Sequence, residues 1–211
     1  ERGVQGSIVL VDLGIAKGLG VDELARVMRE AGLSSWLVGI DGEMRAEGLK
    51  PDGRPWTIAH EKPDAGAREI LGILELSGAA VATSGGYRHQ ARMGDRSASH
   101  TMDPRRAAPI ETDLAAVTVL AETCMAADAW ATALLVMGPQ EGPALARRLG
   151  VAALFVGSGG GVTTTWPQKS APSCLEDGVT IPRSEHMGPV LPGASTPDCA
   201  DRSPKGNSTT N

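Results

Sequence analysis

Apolar positions in this chain fall into short runs separated by turn signals, and the spacing inside each run selects strand or helix. Residues 7–13 form an apolar stretch of strand length. Residues 21–31 carry Leu24, Val27 and Met28 at helical spacing with Gly32 as a stop, which predicts a helix. Short strands are predicted over 36–40, 43–47, 55–61, 70–76 and 79–84, broken by DG, PDG and SGG turns. Another strand over 115–121 precedes a helical run over 124–137, a second short helix over 141–149 and a closing strand over 152–156. Strands grouped between helices at both ends predict an α+β body with flanking helices.

From residue 157 the apolar periodicity stops, and half of the chain's 14 prolines lie beyond that point. Such a stretch buries too little surface to offset its ordering entropy, so residues 157–211 are expected to be a disordered or non-native tail on a 1–156 body. The GSGGG at 157–161 has no helical pattern after it and reads as a linker rather than a phosphate loop. Asn207-Ser208-Thr209 fits a glycosylation sequon, a triplet common by chance. At the other end the chain starts without methionine and a strand arrives almost at once, so an N-terminal portion is expected to have been removed.

Composition narrows the function classes. The 211 residues can bury a real core, and a net charge of -5 without a basic run gives no footprint for nucleic acid. Aromatics at 3% of the chain leave no base-stacking platform either. Cys124, Cys174 and Cys199 make neither a metal-type spacing nor an even disulfide set. No apolar run reaches membrane-spanning length, and ERGVQGS is not a signal peptide.

Candidate chemistry begins in CMAADAWATALLVM, where Asp128 is the single charge in an apolar helical run and Thr132 lies one turn further on the same face. A buried unpaired carboxylate costs several kcal/mol, roughly, unless it is protonated, paired or bound to a cation. Asp128 and Thr132 therefore read either as the start of a metal site or as the outer face of an amphipathic helix. GIAKGLG follows a strand and opens a helix, where backbone N–H groups gather around anions. It fits neither common phosphate-loop spacing, so Gly14, Lys17 and Gly18 mark a phosphate site or only a tight turn, with Asp12 holding a ligand hydroxyl or starting that turn. ATSGGYRH sets Tyr87 beside Arg88 and His89, and SHTMDP sets His100 near Asp103. Histidine is the side chain suited to moving a proton near neutral pH, although a lone histidine is more often structural.

Six blocks, VDLGIAKGLGVDELARVM, WLVGIDGEMRAEG, GRPWTIAHEKP, ATSGGYRH, SHTMDPRRAAPI and VTVLAETCMAADAWATALLVMG, occur in an order and at separations that resemble the ApbE family of flavin transferases. The resemblance covers nearly all of 9–156, and WLVGIDGEMRA with SHTMDPRR is most similar to the NosX branch. It implies a T-fold-like α+β domain with a mixed or antiparallel sheet. It also implies a periplasmic, Mg²⁺-dependent FAD:protein FMN transferase, which joins FMN through a phosphoester to a Thr or Ser of an acceptor flavoprotein and releases AMP. On that resemblance Asp128 and Thr132 hold the metal with a backbone carbonyl near Gly14, and Asp12 and Lys17 contact FAD. Ser84, Gly85 and Tyr87, with His100 and Met102, would line the flavin and pyrophosphate. His100 and Asp128 would carry the catalysis, His100 by activating the acceptor hydroxyl.

The residue types suit that chemistry: a cation, an anion pocket and a base are what phosphoryl transfer to a hydroxyl calls for. Two departures from the family are visible. DLGIAKG carries one glycine where two are usual, and the family's N-terminal region, which supplies part of the FAD pocket, has no counterpart here. FAD binding without transfer, FAD pyrophosphatase activity, or an inactive fragment are therefore the alternative expectations.

Overall fold

The computed structural model describes residues 15–63, 70–85, 90–93 and 96–166. Helix α1 (Ala16–Glu30) begins inside GIAKGLG, five residues before the expected start. Glycine within a helix costs about 1 kcal/mol relative to alanine, and contact with a second helix explains its presence. A Cβ on Gly18 would lie 2.6 Å from the carbonyl oxygen of Cys124 and 2.7 Å from Cα of Met125. The buried face of α1 is accordingly Gly18, Val21 and Ala25. Leu24 and Val27, expected to face inward, are exposed, and only Met28 is partly buried. Apolar spacing selected the largest side chains, whereas close helix packing selects the smallest. Gly32, at φ 75°, ends the helix as predicted.

Six strands form one antiparallel sheet in the order β1 (Trp36–Ile40), β2 (Glu43–Glu47), β5 (Ala79–Gly85), β10 (Leu114–Ala121), β11 (Ala152–Gly157), β12 (Val162–Thr164). Strands β3 (Trp56–Glu61) and β4 (Ile70–Leu76) make a separate hairpin. Its Ile58, Leu74 and Leu76 pack on Ala46, Val81 and Leu120 of the sheet. Two small hairpins, β6 (Gln90–Met93) with β7 (Arg96–Ser99) and β8 (Met102–Asp103) with β9 (Ala108–Pro109), occupy segments for which the pattern predicted no strand.

The opposite face of the sheet is covered by α2 (Cys124–Leu149), whose Leu134 and Leu135 pack with Val117, Val119 and Phe155. Gly138, at φ 81° and ψ -174°, interrupts it just before Pro139, which gives the two helical segments that the pattern predicted. Its N-terminus is capped twice. Thr123 accepts from the Ala126 N–H, and Asp22 of α1 accepts from the N–H groups of Cys124 and Met125, each at 2.9 Å.

The expected boundary at 156 falls inside the sheet. β12 pairs with β11, Thr165 is buried with its hydroxyl donating to the Val151 carbonyl at 2.8 Å, and Trp166 packs against the β3–β4 cluster. Backbone pairing thus recruits a segment with no apolar periodicity of its own. The strand expected over 7–13 and residues 167–211 lie outside the described residues.

Replacing Gly18 by alanine forces two helix backbones apart and is expected to destabilise the chain by about 1–3 kcal/mol. Urea unfolding checks this, and an unchanged midpoint would mean that α1 and α2 are not in backbone contact.

Candidate functional site

The contact between helices that excludes a side chain at position 18 also presents its N–H to a buried carboxylate. Gly18 donates to Oδ2 of Asp128 at 3.0 Å, and Asp128 is 4% exposed. Its carboxyl is pushed above the ordinary carboxylate range by burial, against the pull of the Gly18 N–H and of Lys17. Asp128 therefore faces inward, and the reading of α2 as a helix with this residue in solvent is excluded.

One turn further along α2, the Thr132 hydroxyl is 2.9 Å from the Ser84 hydroxyl of β5. Lys17 donates to Oε1 of Glu43 at 2.7 Å, with the exposed Asp41 3.9 Å away. Glu43 is almost fully buried, and burial pushes its carboxyl up, with Lys17 opposing and Asp128 adding to the rise. Two buried carboxyls share one half-exposed lysine, so the site is short of positive charge. The Cys124 thiol beside them is pushed up to about 12, by burial first and then by Asp22, Glu43 and Asp128. It is no nucleophile at neutral pH.

Strand alternation carries β5 to both faces of the sheet. Ser84 points to α2, while the Thr83 hydroxyl lies 2.8 Å from that of buried Thr118, which lies 2.6 Å from Nε2 of His60 in β3. His60 is held below its ordinary value by burial, with Glu61 opposing. β2 accompanies β5 only over 79–81. Past that point a cavity of about 240 Å³ opens, lined by Lys17, Glu43, His60, Thr83 and Gly85 among others.

The structure thus brings Lys17, Ser84, Gly85, Asp128 and Thr132 into one region. His100 is exposed on the approach to the β8–β9 hairpin, and Met102, half-buried, opens β8. Arg105 holds this hairpin through Asp103, and itself reaches the Val136 carbonyl at 3.4 Å and Glu141 at 3.6 Å. Val136 lies one turn of α2 beyond Thr132 and two beyond Asp128. Asp12, Gly14 and Tyr87 lie outside the described residues. Glu43, His60 and Thr118 were not singled out from the sequence. His60 had a signal, since Trp56, Ile58 and His60 alternate on one side of a strand. Glu43 had none.

The model of the ApbE family matches residues 4–155. The FAD:protein FMN transferase of Escherichia coli (strain K12) is 36% identical over 157 residues, 74% of this chain and 45% of the relative. That of Vibrio cholerae serotype O1 is 42% identical over 147 residues, 69% of this chain and 44% of the relative. The chain spans about half the length of the relatives it matches. Among solved structures, the apo flavinyl transferase ApbE of Pseudomonas stutzeri superposes with a TM-score of 0.62 at 46% identity, over 72% of this chain and 48% of that one. The ApbE protein of Thermotoga maritima gives 0.65 at 28% identity, over 72% and 50%. No helix among the described residues is long and apolar enough to cross a membrane.

Because His60 has a lower proton affinity folded than unfolded, the unfolded state binds the extra proton first as pH falls through the ordinary histidine value of 6.5. Stability is therefore expected to decline on acidification from neutral pH through 6.5 and below. Urea midpoints at several pH values for the original chain and His60→Leu check this, and equal acid slopes in the two would refute the buried neutral histidine.

Proposed function

We propose, since this chain belongs to the ApbE family, that it carries the metal and phosphate side of an FAD:protein FMN transferase. FMN passes from FAD to a Thr or Ser hydroxyl of an acceptor flavoprotein and AMP leaves. The observation that carries this reading is the buried Asp128, fixed by Gly18 beside Lys17, with the Thr132 and Ser84 hydroxyls one turn away. An excess of buried acid calls for a cation, and the adjacent half-exposed lysine suits a phosphate.

The donor set fits Mg²⁺: it consists of oxygens, with one carboxylate and neutral hydroxyls, and leaves room for water and substrate. Asp128 and Thr132 would hold the ion, with the Gly14 carbonyl supported by the family resemblance alone. When bound, Mg²⁺ neutralises charge on the pyrophosphate oxygens. Lys17 contributes a second positive charge, and Glu43 holds its ammonium in place. Ser84 orients the Thr132 hydroxyl. His100, exposed at the approach to β8, takes the proton of the acceptor hydroxyl as the new phosphorus–oxygen bond forms and the pyrophosphate bond breaks. Ser84, Gly85 and Met102, with Asp12 and Tyr87, would contact FAD. A periplasmic location and a place in the NosX branch rest on the family resemblance alone.

Incubation with FAD, Mg²⁺ and a Thr-containing acceptor peptide tests the proposal. AMP with a fluorescent peptide is the expected result; AMP with free FMN would mean pyrophosphatase activity, bound flavin without AMP a carrier, and neither an inactive fragment. Asp128→Ala is expected to abolish Mg²⁺-dependent turnover, and an unchanged rate would dispose of the metal assignment. His100→Ala is expected to slow transfer by about 10²-fold or more while FAD affinity is nearly kept. Equal losses in both measurements would argue against a base.

A further inference from the structure

The β8–β9 hairpin has two residue pairs and, among the described residues, joins no larger sheet. A ribbon this short does not hold its own orientation in water, yet the segment leading into it carries His100. Its placement comes from ties to the body. One is the Thr101 carbonyl, which accepts from the N–H of buried Ile110 at 2.9 Å. The other is Arg105. Asp103, 6% exposed, accepts from the Arg105 backbone N–H at 2.9 Å and from Nε and Nη2 of its guanidinium at 3.1 Å each, a bidentate pair. The same Nη2 reaches the Val136 carbonyl at 3.4 Å, and Nη1 lies 3.6 Å from Glu141.

Both outer contacts fall on the break in α2. Gly138 lies between Val136 and Glu141 and interrupts the helical ladder, so the carbonyls just before it lose the N–H groups that would follow one turn on. Open carbonyls at the C-terminal end of a helical segment attract a cationic donor. A planar guanidinium can face a carboxylate and a carbonyl at once, which the compact ammonium of a lysine does less well.

We infer that Arg105 is a positioning residue: it clamps the His100 segment, through Asp103, to the end of the α2 segment that bears Asp128 and Thr132. This rests on the reading above, in which His100 takes the acceptor's proton. Val136 stands one turn beyond Thr132 on the same helical segment, so the clamp ties the proton acceptor to the element that would hold the metal. Arg105 itself meets no reacting atom. It acts by fixing the hairpin against a rigid helix.

Hydrogen exchange of the full chain tests the clamp without requiring turnover. In Arg105→Ala, amides of 101–110 are expected to exchange about tenfold faster or more, as loss of a charge-assisted tie allows, while those of β5 and β10 are unchanged. Arg105→Lys keeps a charge beside Asp103 and is expected to loosen the same residues, which covers an alanine variant that does not fold. With FAD, Mg²⁺ and acceptor peptide, Arg105→Ala is expected to lower kcat by about tenfold to 10²-fold, the scale of a misplaced group. FAD affinity should stay within about twofold, since the lost interaction is not one of binding. Arg105→Ala added to His100→Ala should slow transfer no further, because one residue acts through the other. Unchanged exchange over 101–110 in both variants would overturn the inference, as would multiplicative losses in the double variant or equal losses of kcat and FAD affinity. An unmutated chain without turnover would count against the transferase reading, and exchange alone would then decide the clamp.

Discussion

The backbone contact between α1 and α2 at Gly18 is the constraint on which the site depends. With no side chain between the helices, the Gly18 N–H reaches Asp128, which would otherwise be a buried carboxylate lacking that donor. The same approach brings Asp22, one turn later on α1, onto the open N–H groups of α2, where Arg45 of β2 balances its charge. Lys17 is then directed to Glu43 at the start of β2. One absent methyl group thus sets helix spacing, helix capping and the position of the lysine together.

The sheet divides the chemistry between its faces. On the α2 side are the oxygens of Asp128, Thr132 and Ser84; on the hairpin side are Thr83, Thr118 and His60. Adjacent residues of β5 serve both because successive side chains of a strand point in opposite directions. The cavity lies where β5 outruns its pairing with β2.

Much of the architecture was legible in the chain because strand alternation and turn residues are local signals. The strands at 36–40, 43–47 and 70–76 have the expected bounds, and Gly138 with Pro139 breaks α2 where a second helix was expected. Helix α1 was misread at its start and on its face because glycine scored as a turn and Leu24 and Val27 as core. The run past 156 was misread because β12 is held by a neighbouring strand and not by its own composition. At the site, Asp128 and Thr132 stood out as polar residues in an apolar run, and Lys17 as a cation in a glycine-rich turn. Glu43 looked like any charged residue after a DG turn.

From order and type of residue alone came the α+β class, the helix bearing Asp128 and Thr132, and the blocks that place the chain in its family. Those features are encoded by neighbours close in sequence. Which acids are buried, which serine meets Thr132, and which histidine faces the cavity depend on pairs such as Gly18 with Asp128, Ser84 with Thr132 and His60 with Thr118, all far apart along the chain. Burial and partnership arise only when distant segments pack, and those two properties set the charge state of each group.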